Sequence, residues 1–208
     1  MTTWLHEQRL AEAREAVRQC GARTVLDFGC GDGDLLVRLA IEPRIERIVG
    51  VDVCGASLER LRARLETVDD MEAAQVELVH GSMIEGGATF TGFDCAILIE
   101  TIEHIGPDRL SVLERAVFVG MQPATVVITT PNAEFNPLLG VPSHRFRHPD
   151  HRFEWDRARF QRWARGVADR NGYHVACRDI AGCHPTFGGA SQMAVFTIVG
   201  DHLDRFAA

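Results

Sequence analysis

Glu100-Thr101-Ile102-Glu103-His104 puts two carboxylates and an imidazole within five residues, and oxygen and nitrogen donors of this kind suit a divalent ion such as Mg, Mn or Zn. At the spacing i, i+3, i+4 the three side chains share one face if the segment is helical. The apolar run Phe93-Asp94-Cys95-Ala96-Ile97-Leu98-Ile99 before them reads as a buried strand, so the donors lie where α/β sheets collect their ligands. An ordinary helix start, with acids near the positive end of the dipole, is the competing reading. More donors stand in His148-Pro149-Asp150-His151-Arg152-Phe153-Glu154-Trp155, and one histidine from there would complete a set of two carboxylates and two imidazoles.

The elements that must position these groups follow an α/β rhythm. The patterning predicts helix at 5–20, strand at 24–28, helix at 33–42, strand at 46–52, helix at 55–67, strands at 75–80 and 93–99, helix at 107–119 and strand at 124–130. A long loop rich in Pro, Asn, Gly and His covers 131–151, followed by helix at 155–171 and strands at 173–180 and 191–199. Alternation of this kind gives a mostly parallel sheet with helices on both faces, and the last two strands close it as an antiparallel pair. The loop after the fifth strand then emerges at the same sheet edge as Glu100.

The first strand ends in Asp27-Phe28-Gly29-Cys30-Gly31-Asp32-Gly33-Asp34, whose alternate glycines let the backbone turn beneath a cofactor. The second strand ends at Asp52, where a carboxylate can accept from both ribose hydroxyls of a nucleoside. A dinucleotide turn would read G-x-G-x-x-G and bring a helix N-terminus to a pyrophosphate. Here the turn is G-x-G-x-G, and Asp27, Asp32 and Asp34 disfavour phosphate. S-adenosylmethionine, with sulfonium and ammonium charges, fits better. Gly81-Ser82-Met83 closes the third strand, where adenine contacts are expected, although it also reads as a plain turn.

The 208 residues are 46% apolar, enough for one domain with a full core, and one domain predicts a monomer. No stretch approaches a membrane span and the first residues lack a signal-peptide pattern, so a cytoplasmic protein is expected. Six scattered cysteines without a C-x-x-C pair predict reduced, mostly buried thiols. Net charge is −7, and every basic residue is arginine. Residues 1–140 hold 12 arginines against 22 acids, whereas 141–170 hold eight arginines against four acids. Arginine suits phosphate and stacking, so this stretch could grip nucleic acid although the whole chain is acidic. Helical spacing of Phe153, Trp155, Phe160 and Trp163 favours core for those aromatics. Asn132 could touch substrate or simply shape a turn.

With these pieces on the page, the chain resembles the methyltransferase domain of the HEN family, the small-RNA 3′-terminal ribose 2′-O-methyltransferases, and especially its bacterial RNA-repair branch. The matching segments are Leu5-His6-Glu7-Gln8-Arg9, LDFGCGDGDLL, ETIEHI, VVITTPNAEFN, RHPDHRFEWDRARFQRWA and ASQMAVF. The resemblance implies a Rossmann-like S-adenosylmethionine-dependent fold with a seven-stranded sheet. It implies cofactor binding by Asp27, Gly29, Gly31, Gly33, Asp52, Ser82 and Met83. It also implies one Mn or Mg ion, with catalytic ligands at Glu100, Glu103, His104 and His151 and with His148 competing for the last place. It covers only the C-terminal half of the bacterial proteins, whose N-terminal module is associated with an RNA-repair ligase or kinase-phosphatase. Their third motif leads into a basic, aromatic stretch, whereas Ile84-Glu85-Gly86-Gly87 follows here.

The implied reaction is methyl transfer to the 2′-hydroxyl of an RNA 3′ end. A metal chelating the vicinal 2′- and 3′-hydroxyls would activate and orient the nucleophile, and would restrict reaction to an end with both hydroxyls free. His104, His151 or solvent would take the proton. The basic segment 144–165 would hold the RNA backbone, with Phe146, Phe153 or Trp155 stacking on a terminal base. The alternatives are a metal-dependent O-methyltransferase acting on a catechol-like diol and a non-catalytic RNA-end binding module.

Overall fold

The computed structural model describes residues 3–68, 74–84 and 90–200. Glu85, Gly86 and Gly87 of the sequence comparison lie outside the described residues. Seven strands form one sheet: β1 (Thr24–Phe28), β2 (Arg47–Asp52), β3 (Gln75–His80), β4 (Cys95–Ile99), β5 (Thr125–Pro131), β6 (Tyr173–Ile180) and β7 (Ser191–Ile198), in the order β3-β2-β1-β4-β5-β7-β6. The first five are parallel, and β7 runs antiparallel between β5 and β6. β1, β4 and β5 are buried along nearly their whole length because helices cover both faces of the sheet, and β4 reads as a continuous apolar run.

One face packs against α1 (Trp4–Gln19), α2 (Leu36–Ala40) and α3 (Gly55–Leu65) through Leu10, Val17, Leu36, Leu39, Leu58 and Leu61. The other packs against α4, which begins as a tight turn at Pro107–Arg109, runs through Leu110–Glu114 and widens over Arg115–Met121, and against α5 (Arg157–Asn171). Thr3 caps α1 by accepting from the His6 amide at 3.2 Å, and Asp156 caps α5 by accepting from the Arg159 amide at 2.6 Å. Gly172, at φ +73°, ends α5.

The chain winds outward from β1 in one direction and from β4 in the other, so a crevice opens between the carboxyl ends of these two strands. The helix expected at 33–42 shortens to Leu36–Ala40 because the glycine turn occupies its beginning. The loop expected at 131–151 contains a short 3-10 segment, Ala133–Leu139, whose first turn is capped by the Asn132 side chain. The cysteines form no disulfide, but only Cys30 and Cys95 are buried; Cys20, Cys54 and Cys183 lie outside the strand interiors and are exposed. No helix among the described residues is long and apolar enough to cross a membrane.

Candidate active site

The glycine turn is fixed by close approaches. Gly29 is left-handed at φ +70°, and a Cβ there would stand 2.7 Å from Thr101 Cγ2; Gly33, at φ +80°, would meet Leu61 Cδ1 at 2.1 Å. Asp52 holds the turn from the next strand, accepting from the Gly31 amide at 2.8 Å and from the Cys54 amide at 2.7 Å. Asp27 is buried, and burial, with Asp52 as the second cause, pushes its carboxyl up to about 7.

The expectation that Asp32 and Asp34 repel an anion does not hold locally. Asp32 takes a forked pair from Arg60 at 3.1 and 2.9 Å, and Asp34 takes Arg64 at 2.7 Å and His6 at 3.1 Å. These arginines project from α3 and neutralise both acids, so the unpaired acidity of the turn resides in Asp27.

Two connected hollows share Gly29 and Glu100. The larger, about 470 Å³, is lined by Asp52, Ser82, Met83, Thr101, His104 and neighbours. The smaller, about 190 Å³, is lined by His6, Arg9, Asp27 and the glycine turn. An apolar wall at Met83 and Ile84 beside the Asp52 carboxylate suits a nucleoside, while Arg9 and Asp27 offer opposite charges to an amino-acid end. His6 and Arg9 have no role in the sequence reading beyond their place in the matching segment Leu5–Arg9.

Residues 100–104 are not one helix. Glu100 takes a left-handed conformation, φ 51°, before a short 3-10 turn at Ile102–His104. The Glu100 carboxylate accepts from Thr129 Oγ1 at 3.0 Å, Arg9 Nη1 at 3.1 Å and Ser191 Oγ at 3.3 Å. Glu103 is fully buried; its Oε2 accepts from Thr130 Oγ1 at 3.0 Å, and its Oε1 has no partner. Burial, and then the nearby Glu100, push the Glu103 carboxyl well above the usual range.

The loop after β5 brings both candidate histidines to His104. The ring nitrogens of His104, His148 and His151 offer ligand atoms that all lie within 4.8 Å of one another, and neither Glu100 nor Glu103 belongs to that group. Both histidines of the expected choice thus stand beside His104, and the two expected acids lie outside that grouping. Burial, then His151 and His148, hold the His104 imidazole below its ordinary pKa, which keeps it in the neutral, lone-pair-donating form.

His151 Nδ1 meets Glu154 Oε1 at 2.6 Å, leaving Nε2 for a ligand. Burial raises the Glu154 carboxyl, but hydrogen bonds from His151, Asn136 and the Arg147 amide outweigh it and hold the group low. Arg147 ties the loop down by donating to the carbonyls of Asn132 and Ala190, and the Arg152 amide donates to the Glu103 carbonyl at 2.7 Å. Glu154 was legible only as part of the DHRFEW segment, with no role attached. Three imidazoles and an unpartnered buried carboxylate oxygen fit a divalent transition ion better than Mg.

Other expectations change. Asn132 is buried and spent on structure, donating to the Phe187 and Gly189 carbonyls at 2.8 and 2.9 Å and accepting from the Glu134 amide, so substrate cannot reach it. Phe153 and Trp155 are buried and stacked at 4.2 Å, as core. Phe146 is exposed. Of the basic segment, Arg147 and Arg157 are committed internally, Arg157 to Glu134 and Asp179.

A family profile described as a methyltransferase domain matches residues 26–119. The mouse protein named small RNA 2′-O-methyltransferase is 39% identical over 97% of this chain and 53% of its own length, so the chain spans about half the length of such relatives. The crystal structure of the methyltransferase domain of bacterial CtHen1 is 36% identical, with a TM-score of 0.81, over 93% of this chain and 100% of that one. A chain in the structure of the Pnkp1/Rnl/Hen1 RNA repair complex shares the fold at 21% identity and a TM-score of 0.67, over 93% of this chain and 41% of that one. Matched over 97% of its length by the mouse protein and over 93% by the bacterial domain, which it covers completely, the chain belongs to the Hen1 family of small RNA 2′-O-methyltransferases.

Proposed function

We propose that this chain transfers a methyl group from S-adenosylmethionine to the 2′-hydroxyl of the 3′-terminal ribose of RNA. The observation that carries this reading is His104, which lines the nucleoside hollow and is also one corner of the three-histidine cluster. The methyl donor and a metal-bound ribose would thus be neighbours.

Asp52 would accept from the donor's ribose hydroxyls, Ser82 and Met83 would border its adenine, and Arg9 with Asp27 would take the carboxylate and ammonium of its methionine end. Asp27, Gly29, Gly31 and Gly33 would shape the floor. His104, His148 and His151 would hold one divalent ion, with Glu103 and Glu100 completing the polar surround. When bound, such an ion supplies Lewis acidity that lowers the pKa of the vicinal ribose hydroxyls. Glu154 fixes the His151 ring orientation, and the buried walls at Glu103 and Ile102 keep water from that side of the site.

The experiment is incubation with labelled methyl donor, Mn and a short RNA ending in a 2′,3′-diol. Methyl incorporation lost with a 2′-deoxy or 3′-phosphate end is the expected result. Transfer to catechol but not RNA overturns it, as does RNA-end binding without transfer. An RNA-repair ligase or kinase-phosphatase partner is proposed from the family resemblance, and co-elution with purified candidates tests it.

A further inference from the structure

The groove between α4 and α5 has chemistry that methyl transfer at the terminal ribose does not use. Both helices start just beyond the candidate site: α4 begins at Pro107, three residues after His104, and α5 at Arg157, six after His151. The groove between them holds about 750 Å³ and is walled by Leu110, Trp155, Arg159, Arg162 and Trp163. On α5, Arg159, Arg162 and Arg165 are exposed at spacing i, i+3, i+6, roughly 9 Å of helix at 1.5 Å per residue.

None of these three makes an ion pair among the described residues, whereas Arg157 and Arg170 at the two ends of the helix do. The groove's acid, Glu114, is already neutralised by Arg170 and accepts a further hydrogen bond from Asn171. The Arg159 guanidinium lies over the Trp155 ring at 5.1 Å, which holds its planar face ready for a base. On a chain of net charge −7 these are uncompensated cations beside a seat of stacked aromatics.

We propose that this groove carries the single-stranded RNA immediately 5′ of the terminal nucleotide, with phosphates on Arg159 and Arg162 and one base stacked on Arg159. The inference rests on the reading of the site as an RNA 3′-end methyltransferase, and it narrows the RNA contact from the whole segment expected at 144–165 to the exposed face of α5.

The test is binding of a labelled ten-nucleotide RNA to the whole chain with S-adenosylhomocysteine and Mn present, so that no turnover is needed. Arg159→Ala with Arg162→Ala should weaken binding at least ~10-fold and flatten the salt slope by about 1.4, two single-strand phosphate contacts at about 0.7 each. Arg159→Lys with Arg162→Lys should keep the slope and lose only the stacking share. S-adenosylhomocysteine, which does not touch the groove, should bind equally to all variants, which shows that they fold. Unchanged affinity and slope in the alanine variant overturn the groove while leaving the methyl-transfer reading standing. Groove-dependent binding by a wild-type chain that methylates no RNA overturns the methyl-transfer reading instead.

Discussion

Asp52 offers the sharpest separation of a structural from a ligand-binding role, because the same carboxylate that would receive the cofactor ribose also receives the Gly31 and Cys54 amides at 2.8 and 2.7 Å. Hydrogen bonds to a charged group contribute about 1.5–3 kcal/mol each when fully effective. Gly31 is only half-buried and Cys54 is exposed, so water replaces part of both in the variant and the expected loss for Asp52→Ala is about 2–3 kcal/mol in total. For a chain of this size that is a fall of about 4–12 °C in the melting temperature of the cofactor-free protein. Asp52→Asn keeps one acceptor oxygen and should lose about half as much. Thermal unfolding without ligand, paired with calorimetric titration of S-adenosylhomocysteine, reads the two effects separately. Weakened cofactor binding with no change in cofactor-free melting would refute the reasoning, since it would show that the glycine turn stands without its carboxylate latch.

The remaining expectations concern the turn, its buried acid and the histidine cluster. Gly33→Ala should cost about 2–5 kcal/mol from left-handed strain and overlap with Leu61, whereas Gly31→Ala, where a Cβ meets nothing within 4 Å, should cost only about 1–2; denaturant titration compares them. The Asp27 carboxyl is raised to about 7, so its contribution to folding is fully present below the ordinary carboxylate pKa and is lost as pH rises through about 7. The cofactor-free protein should thus lose stability across that window, and Asp27→Asn should lessen the loss. A cationic cofactor favours the ionised acid, so binding should release a proton, read as a dependence of calorimetric heat on buffer ionisation. Mn affinity, followed by electron paramagnetic resonance, should fall at least about 10-fold in His148→Ala and about 10–100-fold in Glu154→Ala, which disorients His151; a site using only His151 from the loop would leave His148→Ala unchanged.

The sheet was legible because its central strands are apolar runs: Val25–Phe28 and Cys95–Ile99 have no alternation to misread. Residues 100–104 were not, since spacing describes a face only if the backbone is helical, and Glu100 instead turns left-handed to meet Thr129, Arg9 and Ser191. Counting charge found the arginine-rich stretch but could not sort Arg147 and Arg157, consumed by internal partners, from Arg159 and Arg162, which are not. Those partners stand far away in the chain, as do Arg60 and Arg64 from the acids they neutralise. Both His148 and His151 reach His104 for a similar reason, because a loop long enough to fold back can present both.

Glu100 is gripped by Arg9 and by Ser191, each 91 positions away and in opposite directions along the chain. Contacts of such separation form late, because the loops they close must be ordered first. A chain emerging from its N-terminus can pair β1 through β5 while Glu100 still lacks the Ser191 hydroxyl. The wall that Glu100 lends to both hollows is therefore among the last things to set, and a partly made chain can hold a finished parallel sheet around an unfinished candidate site.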